Sequence, residues 1–252
     1  MENDKRQDGV RAVDRALDIL LAFRPGDDGL TAAELLKRVD LSRPTLYRLI
    51  ATLEHNGFLV SSGEPQQFRL GSSVARLVHV WTTSHKIADL AYPSLQRLWE
   101  ATGETVALFV REGDYRVCFA ELASPQPLSF RRGVGYREKL VLGASGRTIL
   151  ARMNLTENEL KRYAADIKMD AAAYMAELER VRKLGYATSR HELIEGAVAV
   201  AAPYFNGADV AAGSVCIFGP SVRMTADRVK ACGAQLIEEA AVLSRALGQK
   251  PA

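Results

Sequence analysis

Apolar residues recur at helical spacing from Val10 to Phe23, where Val13, Leu17, Leu20 and Leu21 are interleaved with Arg11, Asp14, Arg15 and Asp18. That pattern predicts an amphipathic helix, ended by Pro25-Gly26-Asp27-Asp28-Gly29. Thr31 followed three residues later by Glu34 is a capping box for a second helix, which carries Leu35, Leu36 and Val39 and stops near Asp40. A third begins at once, with Ser42 as N-cap and Pro44 in the first turn, where its missing N–H costs nothing. Its stripe of Leu46, Leu49, Ile50 and Leu53 packs inward, and the helix runs to Asn56-Gly57.

The connection Val39-Asp40-Leu41-Ser42 has the length of a helix-turn-helix, whose second helix enters the major groove of DNA by its N-terminal end. On that geometry Arg43, Thr45, Tyr47 and Arg48 approach bases or phosphates, and the amides from Ser42 onward suit a phosphate oxygen. Phe58-Leu59-Val60 and Phe68-Arg69-Leu70, joined by a polar turn, predict a hairpin wing. Its Gln67 and Arg69 either lie along the duplex or belong to a solvated loop.

Beyond the wing, residues 73–100 hold Val74, Leu77, Val78, Trp81, Ile87, Leu90, Leu95, Leu98 and Trp99, a long helix or a pair broken near Pro93. Exposed apolar side chains there, Trp81 among them, suit dimerisation, although such a Trp is equally at home in a core. The remainder alternates. Strand-like Val106–Val110, Tyr115–Ala120, Ala197–Ala202 and Ala211–Phe218 are interspersed with helical segments at 147–153, 171–183 and 225–247, which predicts an α+β domain with a mostly antiparallel sheet. The organisation expected is an N-terminal arm over 1–9, a winged helix-turn-helix over 10–71, a linker helix over 72–92 and a second domain over 93–252.

Composition adds little to this frame. The chain has 252 residues, 48% hydrophobic and 25% charged, with a formal net charge of +3, as an ordinary two-domain globular protein would. Acidic and basic side chains balance over the first eighty residues, yet Lys37, Arg38, Arg43 and Arg48 crowd one stretch against Asp40, which favours a phosphate backbone. Cys118, Cys216 and Cys232 are too dispersed for a disulfide framework or a cysteine metal site, and His55, His79, His85 and His191 form no ligand spacing. No signal peptide or bilayer-spanning run is present, so a cytoplasmic protein with no membrane partner is expected.

Three stretches in the first third, Arg15–Leu20, Leu41–Leu49 and Phe68–Gly71, resemble in order the opening helix, recognition helix and wing of the IclR-type family of bacterial transcriptional regulators. Thr102–Val106, Gly143–Ala151, Ala201–Pro203 and Phe218–Pro220 continue the resemblance through the second domain. Departures are Arg147 where lysine is usual, and Lys139 and Val141 where proline and histidine are frequent. The resemblance implies that the helical linker leads to a GAF-like effector-binding domain. Two reading heads on a homodimer held by the connector, or on a dimer of dimers, predict a roughly palindromic double-stranded operator. Carried over position by position, its effector contacts fall on Phe130, Ala144, Ser145, Ser189, Ala199, Cys216 and Phe218.

The small residues Gly143-Ala144-Ser145-Gly146 open into a helix, so they form either an anion cradle or merely a tight packing point. The cradle reading implies a small carboxylic-acid metabolite, and Phe130 with Phe218 points to an aromatic or bulky one. Arg131, Arg132, Arg190 and His191 are available as a second anion contact without an assigned role. No cofactor, metal or catalytic residue is expected: the sequence lacks a G-x-S-x-G elbow, a phosphate loop and a zincin histidine pair. The expected function is a ligand-responsive repressor of a catabolic operon. An activator of the same architecture and, further off, an enzyme of unknown reaction are the alternatives.

Overall fold

The computed structural model describes residues 10–24, 26–84, 87–165 and 167–250, with the side chains of His79 and of residues 81–84 set aside. The expected arm over 1–9 and the expected dimer contact of Trp81 lie outside the described residues. The chain divides into two compact units, residues 1–85 and 86–252.

In the first unit, α1 (Arg11–Leu21), α2 (Ala32–Arg38) and α3 (Arg43–His55) precede a hairpin of β1 (Leu59–Ser62) and β2 (Gln67–Leu70). Thr31 and Glu34 form the full capping box. Ile19, Leu35, Leu46, Ile50, Leu59 and Phe68 make the small core. The α1 stripe differs from the pattern expected, because Val13, Leu17 and Leu21 are exposed and Ile19 provides the buried contact. A three-helix core this small has room for only one face of α1. Phe68 exchanges both backbone hydrogen bonds with Leu30, adding a third segment to the wing.

The expected linker is two helices. α4 (Ser72–Ser84) belongs to the first unit, while α5 (Ile87–Thr102) belongs to the second and runs straight through Pro93. The expected break at Pro93 is thus corrected: Pro93 and Asp89 are exposed, so the carbonyl that the proline leaves without a partner faces solvent.

The second unit is built on a six-stranded sheet of order β5-β4-β3-β8-β7-β6, antiparallel at every pairing. Its strands are β3 (Thr105–Glu112), β4 (Tyr115–Leu122), β5 (Arg137–Lys139), β6 (Ala187–Arg190), β7 (Ala197–Phe205) and β8 (Ala211–Pro220). Alternation along each strand sends side chains to two faces. α5 and α9 (Ala226–Ala246) cover one face. On the other, Ala107, Phe109, Cys118, Ala201, Cys216 and Phe218 share a core with α6 (Gly143–Leu150) and α8 (Ala171–Leu184). Three short elements escaped the sequence pattern: β5, β6 and α7 (Glu157–Tyr163). Such segments span no more than about two periods of alternation or helical spacing, too few to stand out.

Candidate DNA-reading face and effector cavity

α3 buries Leu46, Leu49, Ile50 and Leu53 and leaves Ser42, Arg43, Tyr47 and Arg48 exposed, with Thr45 half-buried. Spacing of four residues puts Arg43 over the Tyr47 ring, 5.9 Å from its centroid. Arg48 stands apart from that pair, on the groove between α1 and α3 beside Thr52. Ser42 occupies the N-cap position but makes no capping bond. Its hydroxyl instead lies 2.9 Å from that of Thr45. The first amides of α3 therefore keep no side-chain acceptor from the cap, which suits an incoming phosphate oxygen.

Two of the expected phosphate contacts have partners inside the protein. Arg38 forms a bidentate pair with Asp27, at 2.6 and 3.1 Å, and donates to the Ala22 carbonyl at 2.9 Å, tying the end of α1 to the following turn. Arg69 donates to Ser62 at 2.7 Å, to the Asp28 carbonyl at 2.9 Å and to Gln67 at 3.4 Å. Both arginines brace the wing and turn that hold α3. Arg43, Arg48 and the exposed Lys37 are left as the cations near the helix-turn-helix surface.

In the second unit a cavity of about 40 Å³ opens at the head of α6. Six of the residues expected there line it: Ala144, Ser145, Ser189, Ala199, Cys216 and Phe218. Phe130 is not among them. It packs against the neighbouring core, its ring near Gly196 and its carbonyl accepting from Thr105. Gly146 stands just behind the cavity wall, where a Cβ would fall 2.1 Å from the Leu140 carbonyl oxygen and 2.8 Å from an Arg116 nitrogen. Glycine at 146 is therefore a packing requirement. The expected loop over 143–146 is itself the first turn of α6, entered through Gly143 at φ +70°.

Glu192 takes one of the amides at that helix head. One oxygen accepts from Gly143 at 2.7 Å and the other from Arg147 at 2.9 Å, while Arg147 also donates to the Thr188 carbonyl at 2.7 Å. The amides of Ala144 and Ser145 and the Ser145 hydroxyl find no hydrogen-bond partner among the described residues. They open on the cavity at the positive end of α6.

Sequence reasoning missed the strongest charge in the site. Arg116, on β4, is 1% exposed and lines the cavity. It donates to the Lys139 carbonyl at 2.5 Å and lies 5.6 Å from the Phe109 ring centroid, but its Nε has no partner. Burial pulls its pKa down, against an opposing effect of Glu138. A dry guanidinium without a carboxylate is costly, by several kcal/mol in a protein interior. The signal was present: Arg116 stands two residues from Cys118 and so on the same, cavity-facing side of an apolar strand. Arg132, Tyr136, Phe109 and Leu193 are among the other lining residues that the sequence did not assign. Arg131, Arg190 and His191 are exposed and stand outside it.

Burial pushes the Cys216 thiol up to about 12, and Cys118 behaves the same way. Both are neutral side chains in the cavity wall and core, not nucleophiles.

A winged helix-turn-helix followed by a sheet domain with a largely apolar cavity that holds a few charged side chains defines a DNA-binding regulator. The family model described as "IclR helix-turn-helix domain" matches residues 12–63, and that of the "Bacterial transcriptional regulator IclR C-terminal" matches residues 79–245. The HTH-type transcriptional regulator BhcR of Paracoccus denitrificans is 31% identical over 243 residues, covering 94% of this chain and 87% of the relative. The HTH-type transcriptional repressor AllR of Salmonella typhi is 25% identical over 254 residues, covering 97% and 93%. The crystal structure of the Thermotoga maritima IclR superposes with a TM-score of 0.75 at 24% identity, over 95% of this chain and 100% of that one. The chain belongs to the IclR family of bacterial transcriptional regulators, and it is a regulator rather than an enzyme.

Proposed function

We propose that the protein is a repressor of a catabolic operon, released by a small carboxylic acid. Arg43, Thr45 and Tyr47 read the major groove, Ser42 amide and Arg48 hold phosphates, and the wing with Gln67 follows the backbone, while Arg69 positions it. The relative named as a repressor supports the sign of regulation. Exposed Val13, Leu17 and Leu21 on α1 and Leu77 on α4 supply apolar surface for a homodimer or dimer of dimers, hence for a roughly palindromic operator.

The observation that carries the ligand half is the head of α6, where the Ala144 and Ser145 amides face an internal cavity with no acceptor of their own. A carboxylate is the group such a cradle takes. The volume of about 40 Å³ favours a short aliphatic acid over an aromatic one, because a site that admits benzene measures about 150 Å³. The acid acts by binding two arrangements of the assembly unequally, shifting their populations and so the spacing of the two reading heads.

Titration of operator-bearing duplex at low ionic strength, with and without the acid that stabilises the protein in a thermal-shift screen, tests this reading. Tight, salt-sensitive binding that weakens on adding the acid is expected. Binding that the acid strengthens would make the protein an activator or co-repressor-dependent, and no affinity for duplex would end the proposal.

A further inference from the structure

We infer that the effector is a short-chain dicarboxylate, one carboxylate held between Arg116 and the head of α6 and the second drawn to Arg132; this rests on the sensor reading above. Three charged side chains line the cavity: Arg116, Arg132 and Glu192. Glu192 is spent, because its two oxygens take the Gly143 amide and Arg147. The remaining pair are cations of the same sign.

Neither is ion-paired to a carboxylate among the described residues. Arg116 faces Glu138 across the β4–β5 ladder, yet the oxygens of Glu138 accept from the Tyr136 hydroxyl at 2.8 Å and the Lys139 amide at 2.9 Å. No ion pair joins Arg116 to any carboxylate among the described residues, and its Nε is buried without a partner. Arg132 lies over the Tyr136 ring, 4.6 Å from the centroid. The nearby Glu121 carboxylate accepts from the backbone amides of Arg132 and Gly133, not from the guanidinium.

A helix terminus alone attracts any anion weakly. Here it is joined by a buried guanidinium pointing into the same space, a fork whose geometry matches a carboxylate. A monoacid would neutralise Arg116 and leave the half-buried Arg132 without a counter-ion. A diacid compensates both, so charge selects the dianion, and among dianions the small volume favours the shortest chain. Phe109 and Phe218 add apolar wall to the same cavity.

Calorimetric titration of the full chain at constant ionic strength with malonate, succinate, propionate and the neutral succinamide tests the inference. One of the two diacids should bind at least about tenfold more tightly than propionate, and succinamide should not bind, since charge-assisted contacts carry the affinity. Arg116→Gln should abolish diacid binding while the melting temperature of the unliganded protein holds or rises, because an uncompensated buried charge has been removed. Arg132→Gln should bring the diacid down towards the monoacid. If Arg116→Gln does not fold, Arg132→Gln and the diacid-to-monoacid ratio of the unaltered chain decide the matter.

Equal affinity for propionate and the diacids, binding of succinamide, or full diacid affinity in Arg116→Gln would each overturn the inference. So would no binding of either diacid at millimolar concentration, even with duplex binding intact. A diacid that binds through both arginines but leaves duplex affinity unchanged would uphold the site and overturn the sensor reading instead.

Discussion

Glu192 caps the head of α6 by accepting from the Gly143 amide at 2.7 Å, placing a carboxylate of the protein itself at the edge of the cavity. Its other oxygen holds Arg147 at 2.9 Å, and that side chain is only 12% exposed. One residue thereby neutralises a cation and satisfies one of the helix-end donors, leaving the next two amides open.

Glu192→Gln keeps the shape of this cap and removes its charge. Two charge-assisted bonds are weakened, one of them partly exposed, so the second domain should lose about 1–2 kcal/mol of stability. Urea denaturation measures it. The same change should tighten acid binding several-fold, because Arg147 then adds an uncompensated positive charge beside the cavity; unchanged affinity would mean that Glu192 does not compete with the ligand.

The reading face and its scaffold should separate in solution. Arg43→Ala and Tyr47→Ala remove groups that touch little of the protein, so each should weaken specific duplex binding by about 1–3 kcal/mol with no loss of fold. Arg69→Ala should do the reverse in order: lower thermal stability first, through the lost ties to Ser62 and Asp28, and weaken binding only as the wing loosens. Circular dichroism melts alongside fluorescence anisotropy distinguish the two behaviours.

Acid should loosen the DNA-reading unit through Asp27. Arg38, by its side-chain hydrogen bond, holds the Asp27 carboxyl below its ordinary 3.8, helped by the Arg24 backbone amide. A carboxyl depressed in the folded state adds stability that is complete above the unfolded value and lost as pH falls through the folded one. Stability should therefore be level from neutrality to about pH 5 and decline below pH 4. Arg38→Ala should flatten that acid limb; an identical acid limb in the variant would assign it to other carboxyls.

Glu104 and Arg223 form a bidentate ion pair in the second unit, at 2.6 and 2.7 Å, with Glu104 1% exposed and Arg228 3.8 Å away. Arg223→Ala leaves that carboxylate inside with only the longer Arg228 contact. A loss of about 3 kcal/mol is expected at neutral pH, reduced from the fully buried case because the Arg223 side chain is 25% exposed. The double change with Glu104→Gln should recover much of it, since the stranded charge is then gone.

Local pattern determined a great deal of this protein. Capping residues, turn residues and helical spacing located α2, α3, α9 and the wing to within a residue or two, because the interactions that start and stop those elements lie within four residues along the chain. Six of the seven residues carried over by likeness to a family line the cavity, because the chain keeps that family's framework.

Partners distant in sequence were decided by the tertiary structure alone. Nothing near Arg38 announces that Asp27 will take its fork, nor near Arg69 that Asp28 and Ser62 will, so both resembled free cations. Arg116 read as one more strand residue until the sheet set it opposite α6, some thirty positions further on, and the fold buried it. Whether a charge meets solvent, a counter-ion or a cavity depends on which segments are brought together around it, and a single chain read in order does not contain that proximity.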